Sequence, residues 1–204
     1  MKENQEIKIT VKLTFFEDVL GTSSNNADLL GTYIASKAPD AKTMQEEIEA
    51  IGEDAVKERG MTVFPKLEDG TPYIYDYQVK GFLKDTAAAL KKVPGTVCSK
   101  VKAFKKEIDG LVFVLPRKIP YDLGGGEMGI CQRPLRASTP MCERVSIACS
   151  ETVPAGSTVT LTFLCLTEQM ADLVREALDY GKLRGLGQWR NAGHGRFTWE
   201  EISG

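Results

Sequence analysis

The chain's only histidine, His194, lies in the thirteen residues GLGQWRNAGHGRF at positions 185–197, together with Arg190, Arg196 and four glycines. An imidazole is the simplest general acid or base for cutting RNA, because its ordinary pKa falls near neutrality. Guanidinium groups beside bare backbone N–H groups suit a sugar-phosphate backbone. Gly185, Gly187, Gly193 and Gly195 permit positive φ and let another backbone, or a ligand, come close. Trp189 and Phe197 would offer stacking faces to unpaired bases. The interval 182–196 holds Lys182, Arg184, Arg190 and Arg196 and no acid, within a chain of net charge −2 and pI near 5.6. That balance excludes a protein that coats nucleic acid over its whole surface, but not a local grip. On the loop alone, a tight turn with solvated arginines accounts for the pattern as well as a ligand grip does.

Other chemistry is thinner. Five cysteines, Cys98, Cys131, Cys142, Cys149 and Cys165, form an odd set without C-x-x-C spacing. They read as reduced, mostly buried thiols and not as a disulfide framework or a zinc site. Cys142 and Cys149 are seven apart, on opposite faces of a continuous strand, so they should not cooperate. Asp18, Asp28 and Asp40 have no spacing that gathers carboxylates, so neither a metal nor another cofactor is expected. Tyr73, Tyr75 and Tyr77 would share one strand face, as core or as a stacking stripe.

These residues need elements to hold them. EIKITVKLTFF alternates Ile7, Ile9, Val11 and Leu13 against Lys8, Thr10, Lys12 and Thr14, the pattern of a half-buried strand. Helices are expected over 27–38 and, with an acidic outer face, over 43–58; a third runs from about Gln78 to Lys92 and stops at Pro94-Gly95. GLVFVLPRKIP reads as a strand and 116–140 as an irregular loop or hairpin insertion. ERVSIACSETVPAGSTVTLTFLCL reads as two strands paired around a Pro-Ala-Gly turn. Thr167 is placed to cap a helix over 168–180 that Gly181 ends, and RFTWEEI is a closing strand. The glycine loop therefore leaves a helix and enters a strand, the reverse of a Rossmann or P-loop order. The sum is an α+β fold dominated by antiparallel pairing, a single domain over 1–204. There is no run of eighteen apolar residues, and MKENQEIKIT lacks the apolar core of a secretory signal, so a cytoplasmic protein away from membranes is expected.

Three stretches carry a resemblance. GLGQWRNAGHGRF resembles the C-terminal glycine-rich loop of the RAMP (repeat-associated mysterious protein) superfamily of CRISPR-associated RNA-binding proteins. DGTPYIYDYQVKGFLKD is similar to the segment leading into that family's Lys-Gly helix start, and ETVPAGSTVTLTF to its core hairpin, in the family's order. The resemblance implies a ferredoxin-like, RRM-like β-α-β-β-α-β unit with insertions, an antiparallel sheet backed by helices, and room for a second degenerate unit. It implies single-stranded RNA as partner, gripped by Lys80, Gly81, Lys84, Arg184, Gly185, Gly187, Arg190, Gly193, Gly195 and Arg196, with Trp189 beside them. It also implies other subunits of a ribonucleoprotein complex, or further copies of the chain, as partners. The chain departs from the family where YDYQ stands in place of Pro-Gly-Ser before Lys80-Gly81. Histidine-dependent RAMP ribonucleases place their catalytic residue in the N-terminal half, where this chain has none. A non-catalytic RNA binder is the leading expectation. The alternatives are a metal-independent endoribonuclease using His194, and a RAMP-fold inhibitor or decoy subunit acting on other proteins in antiviral defence or counter-defence. A stand-alone relative encoded by a mobile element or phage, rather than by a CRISPR locus, would fit both the YDYQ departure and the low pI.

Overall fold

The computed structural model describes residues 6–24, 61–138 and 143–202; the helices expected over 27–38 and 43–58, with Asp28, Asp40 and Cys142, lie outside them. Contacts divide the chain into two compact units, one of Met1–Val19, Pro65–Glu127 and Val153–Gly204, the other of Leu20–Phe64 and Met128–Thr152.

The first unit is an antiparallel sheet backed by helices. Its strands are β1 (Ile7–Phe15), β5 (Tyr73–Tyr75), β6 (Val112–Leu115), β7 (Lys118–Asp122), β10 (Thr158–Cys165) and β11 (Phe197–Glu201). Their spatial order is β11-β1-β10-β7-β5, with β6 following β7 along the same edge of β10. The alternation read in the opening strand is borne out: Ile9, Val11, Leu13 and Phe15 are buried while Lys8 is exposed. Each such side chain contributes about 1.5–3 kcal/mol by leaving water. Against this face pack α1 (Asp76–Leu90), through Val79, Phe82, Leu83 and Ala87, and α4 (Glu168–Asp179), through Met170, Leu173, Val174 and Ala177. Phe197 joins sheet to helix, its ring 5.7 Å from Phe15 and 5.4 Å from Phe82. It is core, and so is not available to stack on a base.

Two short helices, α2 (Val97–Lys100) and α3 (Phe104–Leu111), come from a stretch whose lysines masked its periodicity. The Glu176 carboxylate from α4 accepts from the N–H groups of Val97 and Cys98 at 2.8 and 2.9 Å, capping α2 from 78 residues away. Burial raises the Cys98 thiol to about 12 and the Cys165 thiol to about 11, so both stay protonated and inert.

In the second unit, β8 (Gly129–Ser138) pairs antiparallel with β9 (Glu143–Val153) over its whole length. β4 (Thr62–Val63) lies parallel to β9 and antiparallel to β3 (Ser23–Ser24). The insertion expected at 116–140 is thus largely extended, as β7, a turn with Gly124 and Gly125 at positive φ, and β8. The expected pairing of 143–153 with 158–165 does not form. β9 pairs with β8, whereas β10 has β1 on one edge and β6 and β7 on the other, leaving no edge for β9. The Pro-Ala-Gly turn is stitched to the end of β1 instead: Gly156 N–H donates to the Phe15 carbonyl at 2.7 Å and Ala155 N–H to Asp18 Oδ1 at 2.9 Å. Asp18 is thereby a turn staple. Among the described residues no three His, Cys, Asp or Glu side chains gather as a metal site, and no helix is long and apolar enough to cross a membrane.

Candidate nucleic-acid interface

The loop is aimed by the helix before it. The Thr167 hydroxyl accepts from Met170 N–H at 3.2 Å and starts α4, as its sequence position predicts. Gly181 does not end the helical run. After Tyr180 the chain makes one more turn, α5 (Gly181–Arg184), and Gly181 is required because the Phe197 ring occupies the place of a side chain. Gly185, at φ 75°, ends it. From there the loop closes on its own body: Leu186 N–H donates to the Gly195 carbonyl at 2.8 Å and Gly195 N–H to the Asp18 carbonyl at 2.9 Å. A Cβ at Gly185 would collide with the His194 carbonyl, and one at Gly195 with the Leu186 carbonyl. These two glycines therefore admit the loop's own backbone, and Gly195 has no free backbone N–H for a ligand. Gly187 is at φ 91°; Gly193 (φ 95°) differs from Gly185 and Gly195, since a Cβ there would meet only the Arg196 guanidinium, 3.5 Å from its Cζ. Between Gly187 and Gly193 a single 3-10 turn, Arg190–Ala192, follows Trp189, the only described non-glycine residue at positive φ (52°). That conformation costs on the order of 1 kcal/mol and clusters at functional loops.

Arg184, Gly187, Gln188, Trp189, Arg190 and Asn191 line an open concavity of about 470 Å³. Two of its lining residues, Arg184 and Arg190, meet at one carboxylate outside the lining. Arg184 Nε donates to Asp85 Oδ2 at 2.7 Å and Arg190 Nη1 donates to the same oxygen at 2.9 Å; Arg184 Nη1 also donates to Asn191 Oδ1 at 2.7 Å. Two guanidinium groups share one carboxylate, leaving the cluster one positive charge in excess. Burial pushes the Asp85 carboxyl up, but the Arg184 hydrogen bond and both arginine charges outweigh it and hold it below the ordinary range. In turn the Asp85 hydrogen bond raises Arg184 against its own desolvation. Because the folded value is depressed, the stability carried by Asp85 is complete above its unfolded pKa, about 4, and is lost as pH falls through the folded value. Thermal melts below about pH 4 should therefore show a smaller acid loss for Asp85→Asn than for wild type. Equal pH profiles would show that the carboxylate gains nothing from its partners.

The arginines converge, but the lysines do not join them. Lys80 and Gly81 lie in the second turn of α1, not at its start, where Gln78 Oε1 accepts from Tyr75 N–H. Lys80 Nζ donates to the Asp109 carbonyl at 3.0 Å and stands 5.2 Å over the Phe113 ring, and Lys84 ion-pairs with the Asp109 carboxylate. Arg196 is half-buried, with an Nε that is buried and finds no acceptor among the described residues. The His194 imidazole likewise has no hydrogen-bond or ion-pair partner among them. Tyr73 and Tyr75 are on β5 as expected, but Tyr77 belongs to the first turn of α1. Sequence reasoning passed over Asp85, Gln188 and Asn191. Asp85 is 99 residues from Arg184, and no local spacing could have paired them.

No protein-family model matches this sequence, and no curated protein matches it. Among solved structures, the chain resembles one chain of the type III-B Cmr-beta complex, solved bound to cognate target RNA, with a TM-score of 0.52 at 12% identity over 97% of its own length. It spans 59% of the length of that chain. A chain of a type IV-B CRISPR complex is similar at a TM-score of 0.49 and 13% identity, over 97% of this chain and 91% of the other. At such identities what is shared is a fold: an α+β architecture also found in a subunit of a CRISPR complex.

Proposed function

We propose that this protein is a RAMP-type, non-catalytic binder of single-stranded RNA that grips the RNA backbone through the loop at 185–197. The observation that carries the reading is that Arg184 and Arg190, which line the concavity, share the single carboxylate of Asp85 and so keep a positive charge in excess. Forked guanidinium groups recognise phosphate through paired N–H donors. The order β11-β1-β10-β6/β7, with α1 between the first and second of these strands in sequence and α4 before the last, is the order a ferredoxin-like unit would have, and it supports the RAMP reading. The fold likeness to a chain of an RNA-bound complex is consistent with it. Other subunits of a ribonucleoprotein are the natural further partners.

Single-stranded RNA affinity measured at two salt concentrations tests this. With two or three phosphates neutralised, affinity should fall roughly tenfold between 50 and 200 mM salt. Absence of binding at the lower salt, or an affinity indifferent to salt, would overturn the proposal.

A further inference from the structure

Three tyrosines at the junction of β5 and α1 form a ladder that runs from the core to solvent. Tyr73 meets Tyr75 edge-on with ring centroids 5.0 Å apart, and its hydroxyl donates to Tyr75 Oη at 2.9 Å. Tyr75 stacks on Tyr77 at 5.1 Å with only 20° between the planes. Tyr73 is buried, whereas Tyr77 is 59% exposed, with Tyr75 against one ring face and solvent before the other. A ring already held from behind loses little rotamer freedom when something stacks on its open face.

The surroundings carry charges of both signs. Lys118 Nζ stands 5.3 Å over the Tyr73 ring, and the exposed Arg117 acts on Tyr77 against Asp76, while Glu68 and Asp69 line the same hollow as Lys66 and Lys118. Tyr77, Gly81 and Asp85 follow one another at i, i+4 and i+8 on α1, and so form one stripe. At Gly81 an added Cβ would meet nothing within 4 Å, so the stripe is bare between the outer ring and the arginine cluster. Its length is about 12 Å, which three or four stacked nucleotides cover at ~3.4 Å each.

We infer that Tyr77 is a stacking platform for an unpaired nucleobase of the same RNA strand whose backbone the loop arginines hold, an inference that rests on the function proposed above. A π face accepts any base but needs it unpaired, because bases within a duplex keep their faces stacked on one another. The full chain should quench a short 2-aminopurine-containing oligoadenylate on binding. Tyr77→Ala should lose most of that quench and roughly tenfold in affinity, with an unchanged salt slope because no phosphate contact is removed. Tyr77→Phe should behave as wild type, and duplex RNA should not distinguish any of them. A Tyr77→Ala variant that binds and quenches as wild type does would overturn the platform while Arg190→Ala still tested the loop. An equal loss on duplex RNA would also overturn it. Failure of the wild type to bind any RNA would remove both readings.

Discussion

Gly195→Val is expected to lower the melting temperature by roughly 10 °C, the consequence of about 3–4 kcal/mol lost from a chain of this size. Two costs add at this position. The residue sits at φ 70°, which a β-branched side chain adopts only under strain, and its Cβ would overlap the Leu186 carbonyl oxygen, a backbone atom that cannot swing aside. Relief would require breaking the Leu186 N–H to Gly195 carbonyl bond, between two buried residues, or the Gly195 N–H to Asp18 carbonyl bond. Gly193→Ala is the control. It carries the strain of φ 95° but meets only the flexible Arg196 guanidinium, so about 1 kcal/mol is expected. Calorimetry of both variants checks the contrast. If they melted alike, the loop would not be packed as described.

The second large effect falls on binding. Arg190→Ala should weaken single-stranded RNA roughly fivefold at 0.1 M salt and reduce the salt slope by about 0.7, the loss of one phosphate contact. It should do so nearly equally for all sequences, because a phosphate contact carries no base information. Asp85→Asn should act in the opposite direction. It retains an acceptor for Arg184 and removes the negative charge that offsets one of the two guanidinium groups, so affinity should rise at low salt with a steeper slope. Titrations of the two variants against one oligonucleotide at several salt concentrations measure both. Identical slopes for wild type, Arg190→Ala and Asp85→Asn would show that the cluster touches no phosphate.

Much of the first unit was legible because its elements are amphipathic with one clear period. The opening strand, the α1 and α4 segments, the Thr167 cap and the closing strand each carry their own signal within a few residues. Where the signal is not local, the sequence misled. The strands flanking Pro154-Ala155-Gly156 look like a hairpin because nothing near them shows that β1, β6 and β7 take both edges of β10. The lysines of 100–106 concealed the one buried face of α3, where Ile108 is packed.

The loop divides in the same way. Glycine spacing, the arginines and the lack of acids within 182–196 were in the sequence, and they were enough to single out one concentrated surface on a chain of net charge −2. The sequence could not separate glycines that admit a neighbour from glycines that leave space, because that depends on what lies opposite. Gly185 and Gly195 face each other's strand of the loop, while Gly193 faces a side chain. Nor could it assign Asp85, brought to Arg184 and Arg190 by packing of α1 against α4. Residue type and period determine which face of an element is buried, a short-range matter of apolar area. Which charges then meet is decided by tertiary packing, since it alone sets distances between residues a hundred positions apart.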